Sequence, residues 1–193
     1  MMATLPINVI TPQEYLAIER AADEKSEYIA GEMFAMSGAS REHALLVTNL
    51  VIQFGLQLRG RPCETYSNDL RVRVTPAAYT YPDVVIVCGE PQFEDSELDT
   101  LLNPTVIFEV LSPSTENWDR GGKFERYRRL ESLQEYILVS QSEYLVEQRT
   151  RQSDSTWLLR ELEGPDNTLQ IATIGCVLTL REIYSRVNLE GNQ

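Results

Sequence analysis

The stretch that decides the fold is PTVIFEVLSPSTENWDRGGKFERYRRLESLQEYILVSQ, residues 104–141. It opens with an apolar, β-branched run, passes through a charged segment at residues 117–131, and returns to an apolar run at 134–141. Pro104 can stand only at the start of the first run, because proline cannot donate to a strand ladder. The pattern predicts a strand, a helix and a second strand.

The signals on either side of this stretch alternate between helix and strand. Thr11 precedes Pro12 and stands three residues before Glu14, which predicts a capping box and a helix start. A hairpin is expected around Ala30-Gly31. A long helix is predicted from Ser40 to about Arg59, with an apolar stripe formed by Ala44, Val47, Val51, Phe54 and Leu58. Further predicted strands are 70–74, 81–89, 143–150 and 157–163, the hairpin between 134–141 and 143–150 turns at Ser142, and a last helix begins at Thr179.

This order of elements is not a regular βαβ repeat. It predicts an α+β (mixed α/β) fold. A length of 193 residues is typical of one domain, so we expect a single domain over residues 1–193. No stretch approaches the ~20 consecutive apolar residues of a membrane helix. The N-terminus lacks a basic segment followed by an apolar run, so no signal peptide is expected.

Three cysteines, Cys63, Cys88 and Cys176, are far apart and show no CxxC spacing. The sequence around Cys88 and Cys176 is typical of buried, unpaired thiols. An odd, scattered set of this kind favours a reducing cytoplasm over secretion.

The net charge of −12 argues against a protein that coats nucleic acid without sequence preference. Residues 116–130 nevertheless carry five basic and three acidic side chains, a local net charge of +2. That segment is either a solvated helix face or part of a basic groove, in which Arg120 and Arg126 are candidate substrate contacts.

Glu109 lies inside an apolar run, where a lone carboxylate is costly unless something pairs with it. Asp83 opens the neighbouring apolar run PDVVIVC. Adjacent strands can present two such carboxylates on one face, and hard oxygen ligands of this kind suit Mg²⁺ or Mn²⁺. The alternative is that each acid caps a turn or pairs with an arginine, which is common for an aspartate after proline.

Lys123 is the candidate amine of the site. Helical spacing sets Asp119, Lys123 and Tyr127 on one face, so Lys123 either stabilises charge on a phosphoryl oxygen or forms a local ion pair with Asp119. His43, the only histidine, is either a site residue or a capping and packing residue at a helix start.

Four further side chains are candidates on weaker grounds. Glu32 and Asp69 are possible supporting acids. Arg71 and Arg73 either contact phosphates or form the outward face of strand 70–74, with Leu70, Val72 and Val74 facing inward. GxxxxGKS/T, GxGxxG and GxSxG motifs are absent, so P-loop, dinucleotide-binding and serine-hydrolase chemistry have no support.

The segments GEMFAMSGASREHALLVTNL, YPDVVIV and EVLSPST, together with SLQEYILV, closely resemble the Uma family of restriction endonucleases, in the PD-(D/E)xK nuclease superfamily. The resemblance spans about residues 11–187. It implies a restriction-endonuclease-like core, a mixed sheet flanked by helices, and Mg²⁺- or Mn²⁺-dependent hydrolysis of DNA. It also implies that Asp83, Glu109 and the backbone carbonyl of Val110 hold the metal.

One position departs from the superfamily motif. Leu111 stands where the motif lysine belongs, and the resemblance implies that Lys123 on the following helix takes its place. Gln134 and Tyr136 resemble supporting residues placed after that helix. Many nucleases of this fold form two-fold dimers, so a homodimer is expected.

Two other functions remain open from the sequence. The acidic charge and the displaced lysine are compatible with an inactive module that keeps the nuclease fold and binds nucleic acid or a protein. A two-carboxylate glycosidase would need carboxyl groups ~5–10 Å apart and no metal.

Overall fold

The computed structural model describes residues 9–189. The helices are α1 (Pro12–Ala21), α2 (Arg41–Gln57), α3 (Phe124–Tyr127) and α4 (Leu180–Ile183), with a π-helical segment at Trp118–Lys123 and a 3-10 turn at Ala172–Ile174. The strands are β1 (Ser26–Ile29), β2 (Glu32–Ala35), β3 (Cys63–Ser67), β4 (Arg71–Thr75), β5 (Ala78–Thr80), β6 (Val84–Cys88), β7 (Thr100–Leu101), β8 (Val106–Leu111), β9 (Glu135–Ser140), β10 (Leu145–Arg151), β11 (Trp157–Glu163), β12 (Thr168–Ile171) and β13 (Cys176–Thr179).

The strands form two main sheets and one hairpin sheet. The central sheet has the order β11-β10-β9-β8-β6-β3, and within it β8 and β9 run parallel while the other pairs are antiparallel. The second sheet has the order β2-β1-β5-β4-β7, and β12 pairs with β13. The segment that joins β8 to β9 carries the π-helical turn and α3. The mixed sheets and flanking helices confirm the predicted α+β class.

The central strands β6, β8 and β9 are buried on both faces, because alternate side chains of each strand enter different cores. Phe108 packs with Phe54 of α2 in one core. Ile107 lies in the other core, together with Val72 of the second sheet and Tyr127 of α3. Glu109 shares the face of Ile107, so it points toward the second sheet and α3.

Local signals predicted several element boundaries well. The capping boxes at Thr11 and Thr179 are both present. Ala30 and Gly31 both have positive φ, 50° and 98°, as a tight hairpin turn requires. Ser40 caps α2 by accepting a hydrogen bond from the His43 backbone N–H.

Other predictions were wrong in ways that have physical reasons. The segment 117–131 is not one helix: a π-helical turn contains the poor helix formers Gly121 and Gly122, and α3 ends at Tyr127. The predicted stripe of α2 is confirmed at Val47, Phe54 and Leu58, which are buried, whereas Ala44 is exposed. The buried Leu46 and Leu50 were missing from the prediction. Short strands β3, β5, β7, β12 and β13 were not predicted.

The cysteines also depart from prediction. Cys63 and Cys88 face each other across β3 and β6 and form a disulfide with a Cα–Cα distance of 4.0 Å. The prediction missed this pair because it rested on sequence spacing and did not include β3. Cys176 is free and buried, as expected. In the described part of the chain, no helix is long and apolar enough to cross a bilayer.

Candidate active site

The register of β6 and β8 brings the two candidate metal ligands together. Val84 pairs with Phe108, and one further step of the antiparallel ladder sets Asp83 opposite Glu109. Both side chains are buried, with 9% of Asp83 and 2% of Glu109 exposed. Residues that oppose each other in adjacent strands share a face, so the two carboxylates converge on one side of the sheet.

Asp83 is held by the backbone and by a histidine. Its Oδ2 accepts a hydrogen bond of 2.7 Å from the Val110 N–H and lies 3.2 Å from His43 Nε2. His43 stands in the first turn of α2, where the Ser40 cap fixes the backbone. These contacts orient Asp83 and leave its Oδ1 without a protein donor among residues 9–189.

Glu109 has a similar division between its two oxygens. Its Oε1 accepts from Lys123 Nζ at 3.2 Å and from the Tyr127 hydroxyl at 3.1 Å. In the described part of the chain, no protein donor contacts Oε2. Each carboxylate therefore has one oxygen committed to the protein and one free to bind a ligand.

Lys123 lies at the centre of the buried carboxylates. Its Nζ is 3.2 Å from Glu27 Oε1, 3.2 Å from Glu109 Oε1 and 3.2 Å from Asp119 Oδ1. With Asp83 included, the cluster holds four carboxylates and one ammonium, a formal charge of −4 + 1 = −3 when all are ionised. Apart from this ion pair with Lys123, the buried Asp119 Oδ1 has no hydrogen-bond partner among the described residues. The cluster is thus short of positive charge.

The same geometry shifts the titration of its members. Burial raises the pKa of Glu109 well above its usual value; Lys123 opposes this rise, and Asp119 and Asp83 add to it. For Lys123, burial disfavours the charge, but Glu109 and Glu27 outweigh burial and raise its pKa well above the usual value. Lys123 therefore stays protonated.

Two tyrosines support the cluster as neutral donors. Tyr127 bridges Glu109 and Thr80, whose Oγ1 lies 2.7 Å from the tyrosine hydroxyl. Tyr136 donates to the Asp119 carbonyl at 2.8 Å and so anchors the π-helical turn to β9. Burial raises the pKa of both phenols well above the usual value.

Glu27 is a member of the cluster that the sequence analysis missed. It lies in β1, which is buried along its whole length, and the Tyr81 N–H also donates to it at 3.4 Å. The sequence feature that could have pointed to Glu27 is a glutamate within a short predicted strand, beside the apolar side chains of Tyr28 and Ile29. Its proximity to Lys123 depends on how the two sheets pack, which no local pattern indicates.

The remaining candidate acids and amides lie outside the cluster. Glu32 is exposed on β2. Asp69 forms an exposed ion pair with Lys25. Gln134 donates to carbonyls of its own loop, at Glu131 and Ser132.

The four candidate arginines are all engaged by other groups. Arg71 was expected to face outward, but it is buried and bonds Thr100, Tyr81 and Asp99. Arg73 pairs with Glu94. Arg120 bridges Glu116 and Glu147, while Arg126 stacks over Trp118 and donates to the Gly122 carbonyl.

The donor set suits a hard divalent cation that keeps part of its hydration. Within residues 9–189 there is no group of three or more His, Cys, Asp and Glu side chains arranged to hold a metal. Mg²⁺ commonly takes one or two carboxylates and fills its other positions with water and substrate oxygens. The free oxygens of Asp83 and Glu109 and the negative charge of the cluster fit that mode.

Comparison with known proteins identifies the family of the chain. A family model described as "Uma2: Putative restriction endonuclease" matches residues 12–181. The Synechocystis protein sll1609 is 38% identical over 173 residues, covering 89% of this chain and 98% of the relative. A second Synechocystis protein, slr1290, is 34% identical over 180 residues and covers 93% of both chains.

A solved structure shares the fold. It is the crystal structure of a "putative nuclease belonging to DUF820" from Anabaena variabilis, with a TM-score of 0.74 and 18% identity over 91% of this chain and 98% of that chain. The expected restriction-endonuclease-like fold is confirmed. The chain therefore belongs to the Uma2 family of restriction-endonuclease-like proteins.

Proposed function

We propose that this protein is a divalent-metal-dependent endonuclease that hydrolyses phosphodiester bonds of DNA in the PD-(D/E)xK manner. The observation that carries the proposal is the position of Lys123, whose Nζ lies 3.2 Å from Glu109 Oε1 although it is 14 residues away in sequence. An ammonium at this point supplies the positive charge of the motif lysine, whose position is occupied by Leu111. Membership of the Uma2 family and the shared fold support the same assignment.

Asp83 and Glu109 would hold Mg²⁺ or Mn²⁺ through their free oxygens, with the carbonyl of Val110 as a third ligand. The bound cation would supply Lewis-acid stabilisation of the charge on a phosphodiester during hydrolysis. Val110 links the two acids, because its N–H already fixes Asp83.

The remaining residues would bind, orient and hold protons. Lys123 keeps its proton and offers positive charge to a phosphoryl oxygen that gains negative charge. His43 steadies Asp83 from α2. Tyr127 and Tyr136 hold Glu109 and the π-helical turn, so that the charged groups meet substrate without reorganisation.

A second function is favoured by one specific observation. Lys123 is already surrounded by three carboxylates at 3.2 Å, and an ammonium committed in this way stabilises the fold even without turnover. A nuclease-fold module that binds nucleic acid or a protein would keep the same cluster. Metal-dependent cleavage separates the two functions.

The proposal includes a homodimer, since closed two-fold assemblies let a nuclease address both strands. It also retains a cytoplasmic location. The Cys63–Cys88 disulfide argues in the opposite direction, because disulfides persist in oxidising compartments. Free-thiol counting on protein purified under anaerobic conditions decides which redox state the cell maintains.

The test is cleavage of single- and double-stranded DNA with Mg²⁺, with Mn²⁺ and with EDTA. We expect cleavage only with metal, and a fall of about 10²–10³-fold in Asp83→Asn, Glu109→Gln and Lys123→Met. The exposed acids Glu97 and Asp166 provide matched controls, because Glu97→Gln and Asp166→Asn remove similar charge far from the cluster. Cleavage that is equal in Glu109→Gln and wild type would refute the assignment.

A further inference from the structure

A pocket of about 340 Å³ opens where β8 and β9 end. Leu111 and Ser140 are paired neighbours at the ends of these parallel strands, and both line the pocket. Pro113 adds a second apolar surface, and Ser112 and Gln141 add polar groups. Ligands of sheet proteins commonly bind at the carboxyl ends of parallel strands. None of the roles described above uses this pocket.

The pocket is close to the proposed metal site and is tied to it. Ser112 follows Glu109 by three residues, which corresponds to about 10 Å along an extended strand. Ser40 Oγ donates to Gln141 Oε1 at 3.0 Å and accepts from the His43 N–H at 3.1 Å. Because His43 contacts Asp83, the same cap positions a residue of the metal site and a residue of the pocket.

Gln141 presents to the pocket a side-chain amide with unused donors. Only 8% of the residue is exposed. The bond from Ser40 engages its carbonyl oxygen, and no acceptor within residues 9–189 engages its nitrogen. A side-chain amide carries two N–H donors, and the nitrogen of Gln141 has access to the open space of the pocket. Gln141 is therefore set to donate to a ligand that enters the pocket.

The charges around the pocket select the class of ligand. Its lining within the described chain includes no Lys, Arg or His, and it includes Glu116, whose carboxylate pairs with Arg120. A phosphate would find no cation in this lining, and the one nearby guanidinium is already paired with Glu116. A neutral planar group with hydrogen-bonding edges suits the apolar surfaces of Leu111 and Pro113 and the amide of Gln141. In a nucleic acid, that group is an unstacked base.

We propose that this pocket receives one unstacked nucleobase of the substrate strand and that Gln141 reads its edge. The inference rests on the proposed nuclease function for the identity of the substrate. It adds a base preference near the cleaved phosphodiester, which the metal cluster alone does not supply.

The test measures binding without cleavage. Fluorescein-labelled short single strands of dA, dC or dT, and an abasic strand of the same length and charge, are titrated with the full chain in EDTA and followed by anisotropy. Wild type should bind at least one base-containing strand at least about ten-fold more tightly than the abasic strand, because each stacked base adds strongly to the binding affinity. Gln141→Leu should reduce the preference among bases by about three- to ten-fold.

Two further variants make the outcome specific. Gln141→Glu replaces the donors with an acceptor, so it should move the preference toward a base that offers an amino group. Gln152→Leu is the matched control, since Gln152 stands beyond the opposite end of β10 and, in the described part of the chain, its side chain bonds only the Thr150 carbonyl. Thermal unfolding verifies that each variant is folded.

Two results would overturn the pocket. Equal affinity of wild type for abasic and base-containing strands would show that the pocket does not bind a nucleobase. An unchanged base preference in Gln141→Leu would show that Gln141 does not recognise the edge of the base. Failure of the nuclease proposal would give a different result. Base-dependent binding that needs Gln141, without cleavage when Mg²⁺ is added, would contradict the nuclease proposal and support the pocket proposal.

Discussion

Removal of the buried ammonium by Lys123→Met should destabilise the metal-free protein strongly. Lys123 is 8% exposed and its Nζ has three carboxylate oxygens at 3.2 Å. Coulomb's law with an effective dielectric constant of about 20 gives about 5 kcal/mol for each contact before desolvation is subtracted. Measured losses on breaking a buried ion pair are about 3–5 kcal/mol, because a buried charge is left unpaired. We expect a loss in that range.

The loss should also depend on pH. Burial raises the pKa of Glu109 above its ordinary value of 4.5, so above pH 4.5 the folded protein binds more protons than the unfolded chain. Stability then falls as pH rises through this window. Lys123 opposes the rise in the pKa of Glu109, so its removal should make stability fall more steeply with pH. The free energy of unfolding lost in Lys123→Met should be smallest near pH ~5 and should grow toward pH ~8.

Urea unfolding in EDTA across that pH range measures the effect. Lys25→Met is the matched control, because Lys25 pairs with Asp69, whose side chain is 82% exposed. Exposed pairs contribute about 0–1 kcal/mol. Equal, pH-independent losses in the two variants would refute the view that Lys123 holds buried carboxylates together.

Three further predictions concern the surroundings of Lys123. Gly122→Ala should cost about 1–3 kcal/mol in urea unfolding, because a Cβ there would lie 2.0 Å from the indole of Trp118, whereas Gly121→Ala meets open space and should cost far less; equal effects would contradict the packing of the π-helical turn. Tyr127→Phe removes the donor to Glu109 and should cost about 1–3 kcal/mol at neutral pH, measured by thermal unfolding, and a neutral result would show that the hydroxyl is dispensable. Glu27→Gln removes one of the excess carboxylates and should flatten the fall of stability with pH in EDTA, while an unchanged slope would show that Glu27 does not act on Glu109.

The elements that the sequence predicted well are those with local signals. Thr11 and Thr179 carry complete capping boxes, and Ala30-Gly31 forms the expected turn. The apolar runs around Asp83 and Glu109 form the neighbouring strands β6 and β8. Helical spacing correctly set Asp119, Lys123 and Tyr127 toward one buried face.

The features that escaped prediction depend on contacts distant in sequence. Glu27 meets Lys123 only because β1 packs over the segment between β8 and β9. Arg71 was predicted to be an outward residue of an alternating strand, but its buried guanidinium finds partners in Asp99 and Tyr81. Cys63 finds Cys88 through the pairing of β3 with β6. Period-two and period-3.6 patterns contain no information on such pairings.

The most direct test of the central claim is a crystal of this protein soaked in Mn²⁺, with anomalous scattering measured to locate the ion. We expect a peak between the carboxylates of Asp83 and Glu109, beside the carbonyl of Val110, and the loss of this peak in Glu109→Gln. Saturating Mn²⁺ that leaves no peak between Asp83 and Glu109 would contradict the account.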